Sequence, residues 1–156
     1  MAVERAKAHL RKYGFEERVM EFDVSSATVE LAAQAVGCQP AMIAKTLSFD
    51  VDGGAVLIVA AGDARIDNAK YKALFHTKAR MLAHDEVEAR VGHGVGGVCP
   101  FGENEGVKVY LDVSLKRFAI VYPACGTASS AVRLEPEELE RASESLGWID
   151  VCKGWE

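Results

Sequence analysis

The segment between residues 45 and 61 constrains the fold more than any other part of the sequence. Two strand-like runs, residues 45–51 and 55–61, flank the turn Asp52-Gly53-Gly54. Because an Asp-Gly pair supplies the positive φ angles of a tight turn, this pattern predicts a β-hairpin. Residues 55–61 are apolar at every position, which indicates a strand that is buried on both faces and lies centrally in its sheet.

The rest of the chain mixes helical and extended patterns. Apolar spacing predicts helices at residues 2–13, 68–75, 85–91 and 137–146. Ser25 or Ser26 is the predicted N-cap of a further helix that ends at Gly37, and Pro40 begins a short helical turn. Further strands are predicted at residues 18–22, 78–82, 107–111, 118–122 and 130–134.

The order of these elements predicts the fold class. Some strands are neighbours in sequence and are joined by tight turns, which favours an α+β fold over a doubly wound parallel sheet. No repeat, low-complexity tract or linker divides the 156 residues. A chain of this length buries about two-thirds of its unfolded surface, which is enough for one core. We therefore predict a single domain that covers residues 1–156.

The composition excludes several classes of protein. Apolar residues make up 49% of the chain and charged residues 26%, which is not the composition of a disordered protein. No apolar run approaches the roughly 20 residues of a membrane-spanning helix. The charged N-terminus lacks the apolar core of a signal peptide. The four cysteines are widely spaced and are expected to be reduced, so we expect a cytoplasmic protein without a membrane partner.

Charge and histidine spacing exclude two kinds of site. The formal net charge of −5 argues against strong nonspecific binding of nucleic acid, which requires many neutralised phosphates. A small local basic patch is still compatible with this charge. His76, His84 and His93 lack the one-turn spacing of a helical metal pair, so we predict no metal. The sequence has neither the Gly-Lys-Ser/Thr ending of a P-loop nor a Gly-x-Gly-x-x-Gly pattern that opens a helix, and we predict no cofactor.

A glycine-rich stretch, residues 92–106, is the first candidate for a functional site. It contains six of the fourteen glycines and predicts a shaped loop. Glycines such as Gly96 and Gly97 allow close approach to a ligand, and Pro100 fixes the local path of the chain. Amides exposed in such a loop can stabilise the negative charge that develops in a transition state. The alternative interpretation is an ordinary glycine-rich turn.

Cys99 lies in the same loop, six residues from His93. A thiol nucleophile requires activation by a histidine or another positive neighbour. This spacing permits such a contact without implying it. We therefore interpret Cys99 as a small loop residue.

Three further residues have both a functional and a structural interpretation. Lys45 lies within the apolar stretch 41–47 and could hold a phosphate or another oxygen of a ligand, or it could protect a strand edge from aggregation. Thr46 could shape a pocket or simply suit a β-strand. Asp112 could orient a ligand group or a water molecule, or it could cap the turn at residues 113–116.

Four stretches together resemble the YbaK family of aminoacyl-tRNA deacylases and the related editing domain of bacterial prolyl-tRNA synthetase. They are residues 26–33, 43–49, 95–102, which contains a Gly-x-x-x-Pro pattern from Gly96 to Pro100, and 109–115. Each stretch alone is weak, but their order and spacing are specific and cover most of the chain. The resemblance implies an α+β fold with a curved, partly barrel-like mixed sheet surrounded by helices. It also implies hydrolysis of the aminoacyl ester on mischarged tRNA in trans.

The resemblance also implies which residues form the site. The catalytic group is Lys45, Gly96, Gly97 and Pro100. The predicted substrate-binding residues are Thr46, Val98, Cys99, Phe101, Asp112, Gly126, Thr127 and Ser129. The expected partner is aminoacyl-tRNA, bound through its terminal adenosine and amino acid, and an aminoacyl-tRNA synthetase is a second candidate partner.

The substrate amino acid and the nucleophile stay open. Residues 124–130 depart from the glycine- and arginine-rich stretch of many cysteinyl-tRNA deacylases, so the amino acid is not predicted. The attacking group is water, the terminal ribose hydroxyl or the thiol of a cysteinyl substrate. The alternative function is a non-catalytic binding module for an aminoacyl-adenosine-like ligand or a partner protein.

Overall fold

The predicted hairpin forms the centre of the structure, a computed structural model that describes residues 2–156. Strand β1 (Val19–Glu21) precedes it, and the hairpin consists of β2 (Ile43–Val51) and β3 (Gly54–Ala61). These two strands pair antiparallel from Ala44 opposite Ala61 to Val51 opposite Gly54. Asp52 and Gly53 form the turn with φ angles of 52° and 84°, as the Asp-Gly pattern predicted.

The remaining elements are short. Within residues 2–156 the α-helices are α1 (Ala2–Arg11), α2 (Val29–Val36), α3 (Asn68–Phe75), α4 (Val87–Val91) and α5 (Pro136–Ala142). Three single turns of 3₁₀ helix lie at Glu16–Arg18, Pro40–Met42 and Val113–Arg117. The remaining strands are β4 (Arg65–Ile66), β5 (Lys108–Asp112), β6 (Tyr122–Pro123), β7 (Ser130–Val132), β8 (Trp148–Ile149) and β9 (Cys152–Lys153).

The main sheet is mixed, which confirms the predicted α+β class. Its strand order is β6-β2-β3-β5-β8, and only the hairpin pair is antiparallel. The pairs β2–β6, β3–β5 and β5–β8 are parallel. Two-stranded antiparallel sheets, β1–β7 and β4–β9, lie beside it. The main sheet has two ends, β6 and β8, so its strand order is open.

Strand β3 lies at the centre of the core, as its uniformly apolar sequence predicted. Leu57, Ile58 and Val59 are fully buried. Burial of each such side chain contributes about 1.5–3 kcal/mol relative to exposure. Phe49 of β2 and Tyr71 of α3 pack against each other in the same core, with ring centroids 5.2 Å apart.

Local capping signals locate several helix ends. Asp67 accepts hydrogen bonds from the amides of Ala69 and Lys70, and α3 begins directly after it, as predicted. Gly37 ends α2 with a φ of 86°. The predicted N-cap of α2 was wrong, because Thr28 rather than Ser25 or Ser26 accepts from the amide of Leu31.

Several predicted strands and helix ends were wrong where long-range pairing determines the structure. Residues 78–82 form only an isolated bridge between Met81 and Phe49. The strand predicted at 118–122 overlaps β6 only at Tyr122, and Val121 forms an isolated bridge with Leu134. Helix α5 ends at Ala142 rather than at residue 146. The chain then turns to β5, where the amide of Leu146 donates to the carbonyl of Val109 at 2.8 Å.

Within residues 2–156, no helix is long and apolar enough to cross a membrane.

Candidate functional site

A cavity of about 390 Å³ opens beside the outer edge of β2. Five parts of the chain surround it: the start of α2, strand β2, the 81–87 segment, the glycine-rich loop and the 122–131 segment. Its apolar wall includes Val29, Ile43, Leu47, Val87 and Val98. The polar residues that line it are Ser26, Thr28, Lys45, Thr46, Ser48, His84, Tyr122 and Ser130. The volume lies within the range of small-ligand sites.

The mouth of this cavity has an apolar rim. The side chains of Met81 and Val95 line the cavity and are 57% and 51% exposed, respectively. His84 is exposed beside them. Such a rim can contact the flat face of a base or the apolar part of another ligand.

Lys45 enters the cavity from β2 and is half-buried. Its Nζ atom donates hydrogen bonds to the carbonyl of Ala64 and, at 3.4 Å, to that of Gly62. Burial lowers the pKa of the ammonium below its usual 10.5, while Cys152 and the carboxylates of Asp63 and Glu30 act in the opposite direction. An ammonium has three N–H donors, so one is left for a ligand oxygen after these two contacts.

Asp63 is already paired, although it lies between the two carbonyls that Lys45 contacts. Arg117 donates to both carboxylate oxygens of Asp63, at 2.6 and 3.0 Å. This two-pronged contact lowers the pKa of the Asp63 carboxyl below its usual 3.8. The Arg117 pair therefore fixes the 62–64 turn, and that turn holds the Lys45 ammonium in place.

The glycine-rich loop lines another part of the cavity through Gly96 and Val98. The Gly97 amide donates to the Gly94 carbonyl at 3.0 Å. In the described part of the chain, the amides of Gly96 and Val98 donate no hydrogen bond to a protein acceptor. Two amides without partners on one cavity wall can stabilise negative charge on a bound ligand.

Close packing explains why this loop contains two adjacent glycines. A Cβ atom on Gly97 would lie 2.5 Å from the carbonyl carbon of Gly126 and 2.6 Å from the Cα of Thr127. Gly96 has a φ of 90°, and a Cβ atom there would lie 3.1 Å from the Cβ of Ala128. The loop therefore packs its backbone directly on residues 126–128, and Pro100 is buried behind it.

The 124–130 segment supports that loop through its own hydrogen bonds. The Ser130 hydroxyl accepts from the amides of Cys125 and Thr127, at 3.2 and 3.3 Å, and donates to the carbonyl of Thr127 at 3.2 Å. The Ser129 amide donates to the Thr127 hydroxyl at 3.4 Å. Gly126, Thr127 and Ser129 do not line the cavity. They lie behind the loop that does, which differs from the direct contact expected from the sequence.

Two other predicted binding residues, Cys99 and Phe101, are also buried away from the cavity. Cys99 and Phe101 are fully buried, and the Cys99 thiol donates to the Phe101 carbonyl at 3.6 Å. Burial raises the pKa of Cys99 well above its usual 9.0, so the thiol stays protonated. The Nε2 atom of His93 lies 3.6 Å from the Cys99 sulfur and 2.7 Å from the Phe101 carbonyl, to which it donates. This arrangement provides no base for Cys99, which agrees with its interpretation as a small loop residue.

Asp112 performs the capping role that the sequence left as an alternative. It is fully buried and does not line the cavity. Its carboxylate accepts from the amides of Ser114 and Val151, each at 2.9 Å. It therefore joins the turn after β5 to the C-terminal segment instead of contacting a ligand.

Of the predicted site residues, the structure brings Lys45, Thr46, Gly96 and Val98 to one cavity. The sequence did not predict Ser26, His84 and Tyr122 as lining residues, because each reaches the cavity through contacts with distant segments. Within residues 2–156, no group of three or more histidine, cysteine, aspartate or glutamate side chains could hold a metal ion.

Comparison with known proteins relates this chain to a family. Residues 23–142 match the family model described as an aminoacyl-tRNA editing domain. The chain is 53% identical over 157 residues to the uncharacterized protein YwhH of Bacillus subtilis (strain 168), and the match covers all of both chains. It is 33% identical over 90 residues to a proline–tRNA ligase of Lysinibacillus sphaericus, covering 57% of this chain and 16% of the ligase.

A solved structure gives the same relationship. It belongs to a protein described as a candidate trans-editing enzyme for prolyl tRNA synthetase. The two structures superpose with a TM-score of 0.88 over 98% of each chain, at 32% sequence identity.

Proposed function

Because the chain belongs to the family of aminoacyl-tRNA editing domains, we propose that it is a free-standing enzyme that hydrolyses the ester of mischarged tRNA. The observation that carries this proposal is the cavity shared by Lys45 and the glycine-rich loop. The activity is assigned to residues 1–156 as one domain.

Lys45 positions the substrate in this proposal. Its ammonium is fixed by the carbonyls of Gly62 and Ala64, and its third N–H is available for a phosphate or hydroxyl oxygen of the terminal adenosine. Burial strengthens this contact, because water screens it less than at the surface. The apolar rim of Met81 and Val95 suits the face of the adenine base.

The glycine-rich loop stabilises the transition state. When an oxygen nucleophile attacks the ester carbonyl, the carbonyl oxygen gains negative charge, and the amides of Gly96 and Val98 are the donors for it. The bond between the carbonyl carbon and the ribose oxygen then breaks, and that oxygen takes up a proton. With water as nucleophile, the products are the free amino acid and tRNA.

The protein's own thiols do not supply the nucleophile. Cys38 does not line the cavity, and burial raises its pKa above the usual 9.0. Cys99 is fully buried, and burial raises the pKa of both Cys125 and Cys152 to about 12. The attacking group is therefore water, assisted by the terminal ribose hydroxyl, or the thiol of a cysteinyl substrate, whose attack on its own ester releases a cyclic product and tRNA.

Affinity for tRNA comes from the acceptor end or from a partner rather than from the protein's overall charge. The net charge of −5 repels the phosphate backbone as a whole. The identity with part of a proline–tRNA ligase supports testing tRNA for proline first, with the corresponding synthetase as a candidate partner.

The test is the release of amino acid from a panel of mischarged tRNAs that includes the cysteinyl, alanyl and seryl forms of tRNA for proline. Lys45→Ala should lose most of the deacylation, and Lys45→Met separates the loss of charge from the loss of side-chain volume. Lys72→Ala is the matched control, because Lys72 is exposed on α3, away from the cavity. Circular dichroism and thermal unfolding monitor the fold of each variant.

Release that depends on Lys45 but not on Lys72 establishes a deacylase and identifies its amino-acid class. If folded Lys45→Ala deacylates at the wild-type rate, the role of Lys45 is wrong. If the folded wild-type protein releases nothing from a broad panel, the alternative of a non-catalytic binding module replaces the enzyme.

A further inference from the structure

The outer edge of β2 is covered at both ends and open in the middle. Strand β6 pairs with Ile43 and Ala44. Farther along, the Ser48 carbonyl accepts from the amide of Leu82 at 3.1 Å, and the Asp50 amide donates to the carbonyl of Arg80 at 2.8 Å. The gap between these two covered parts lies at Thr46, where the strand borders the cavity.

The main chain of Thr46 faces this gap. In an antiparallel pair, residues two apart along a strand direct their N–H and C=O groups to the same side. Ser48 and Asp50 direct theirs outward, away from β3, so Thr46 does the same. Among residues 2–156, neither the amide nor the carbonyl of Thr46 has a hydrogen-bond partner outside the strand pairing.

A donor and an acceptor on one extended residue suit a particular kind of ligand. An α-amino ester carries an amino donor and a carbonyl acceptor on neighbouring carbons, as a residue of an extended peptide does. It can therefore pair with Thr46 as the opposite residue of an antiparallel hydrogen-bonded pair would.

We propose that the open edge of β2 binds the aminoacyl group through the main chain of Thr46. The ligand's α-amino group donates to the Thr46 carbonyl, and the carbonyl of the bound ester accepts from the Thr46 amide. The amides of Gly96 and Val98 then add to this contact as the same oxygen becomes an oxyanion, which can accept three hydrogen bonds. This inference rests on the proposed deacylase function and identifies the contact that positions the scissile ester. It also makes recognition of the α-amino ester independent of the amino-acid side chain.

The composition of the cavity supports a main-chain acceptor for the amino group. In the described part of the chain, no aspartate or glutamate lines the cavity, so no carboxylate is available to an ammonium group there. Among the described residues, Lys45 is the one lysine or arginine that lines the cavity, and its ammonium has the same sign as a protonated amino group of the ligand. Neutral oxygens, among them the Thr46 carbonyl, are therefore the acceptors that remain.

The main-chain contact is tested by a pair of substitutions at one position. Thr46→Pro removes the amide hydrogen and keeps the carbonyl. This proline sits at an open strand edge, where the lost N–H has no partner in the protein, so the sheet should tolerate it. Thr46→Val keeps both main-chain groups and removes only the hydroxyl, which is buried without a partner.

We expect kcat/KM for the best substrate of the wild-type protein to be at least about tenfold lower in Thr46→Pro than in Thr46→Val. A tenfold loss corresponds to the removal of one hydrogen bond of about 1.4 kcal/mol. If both variants lose activity equally, the side chain or the packing of Thr46 matters, and the main-chain contact is refuted. Equal activity of Thr46→Pro and the wild-type protein also refutes it.

Two further measurements keep the inference testable if Thr46→Pro does not fold. Replacement of the Thr46 amide by an ester, through incorporation of the corresponding α-hydroxy acid, removes the same N–H without a ring, and the same tenfold loss is expected. Binding of a non-hydrolysable 3′-aminoacylamino-adenosine should shift the Thr46 amide resonance and protect this amide from hydrogen exchange.

These outcomes separate the inference from the proposed function. Hydrolysis that is unaffected by loss of the Thr46 amide leaves the deacylase intact and refutes the edge contact. Binding of the analogue through Thr46 without hydrolysis of any tRNA refutes the deacylase and supports the edge contact. A Thr46 amide that neither shifts nor gains protection when the analogue binds refutes the edge contact.

Discussion

Gly97→Ala should destabilise the protein because it forces two loops apart. The new Cβ atom would lie 2.5 Å from the Gly126 carbonyl carbon, whereas ordinary contacts begin at about 3.4 Å. Both sides of this contact are main chain, so no side-chain rotation can relieve it. The 126–127 segment or the glycine-rich loop must therefore move by about 1 Å, which is a large shift between packed elements.

Overpacking of this kind costs about 1–3 kcal/mol of the free energy of unfolding, and more where the neighbour is rigid. For a chain of this length, each kcal/mol lowers Tm by about 2–4 °C. Urea unfolding and thermal unfolding measure both quantities. Because Gly96 and Val98 flank the displaced residue and line the cavity, deacylation should fall together with stability.

Two other glycines separate the clash from backbone strain. Gly106 has the same φ of 90° as Gly96, but nothing lies within 4 Å of a Cβ atom added there. Gly106→Ala therefore measures left-handed strain alone, about 1–2 kcal/mol, and should leave deacylation unchanged. Gly96→Ala adds to this strain a 3.1 Å contact with Ala128.

We expect Gly97→Ala and Gly96→Ala to impair deacylation, whereas Gly106→Ala should not. A Gly97→Ala protein with the Tm and deacylation rate of the wild type would show that the two loops do not pack as described. The steric explanation for the paired glycines would then be wrong.

Three other substitutions or conditions test the site. Asp112→Ala leaves two buried amides unpaired at about 1–3 kcal/mol each, so the free energy of unfolding should fall by about 2–6 kcal/mol in urea titrations, and by less for Asp112→Asn. Cys99→Ser should keep most of the deacylation, and the native thiol should resist alkylation; a loss as large as that of Lys45→Ala would support a thiol mechanism instead. Burial lowers the pKa of Lys45 below 10.5, so deacylation that needs its ammonium should decline as pH rises through that lowered pKa, after correction for spontaneous ester hydrolysis. A flat alkaline profile of kcat/KM would contradict the need for the ammonium. Because the lowered pKa means that the folded state disfavours the charged form of Lys45, the free energy of unfolding should gain a contribution from Lys45 as pH rises above its folded pKa.

The predicted site residues form two groups, according to whether they line the cavity. Lys45, Thr46, Gly96 and Val98 line the cavity and can contact a ligand directly. The main chain of Gly126 and Thr127 lies behind the loop, where it determines how closely that loop can pack. Residues of this second group affect the site through its shape, so their substitution should change stability and activity together.

Features that depend on neighbouring residues could be predicted from the amino-acid sequence alone. The Asp52-Gly53 turn, the N-cap at Asp67 and the end of α2 at Gly37 all follow from side-chain or backbone preferences within a few residues. The central position of β3 follows from its apolar composition, because only a strand covered on both faces can be apolar throughout.

Features that join distant segments arise only when the chain adopts its tertiary fold. Strands β4, β8 and β9 are two residues long, and a two-residue strand has no pattern of its own to recognise. The close packing of Gly97 on Gly126 joins residues far apart in sequence, so a glycine that looks available to a ligand can instead be required by a neighbouring loop. The open edge at Thr46 exists only because β6 and residues 80–82 cover β2 on either side of it. Local sequence predicts a long, uniformly apolar strand such as β3, but the partners that leave part of a strand edge uncovered are determined only when the whole chain has folded.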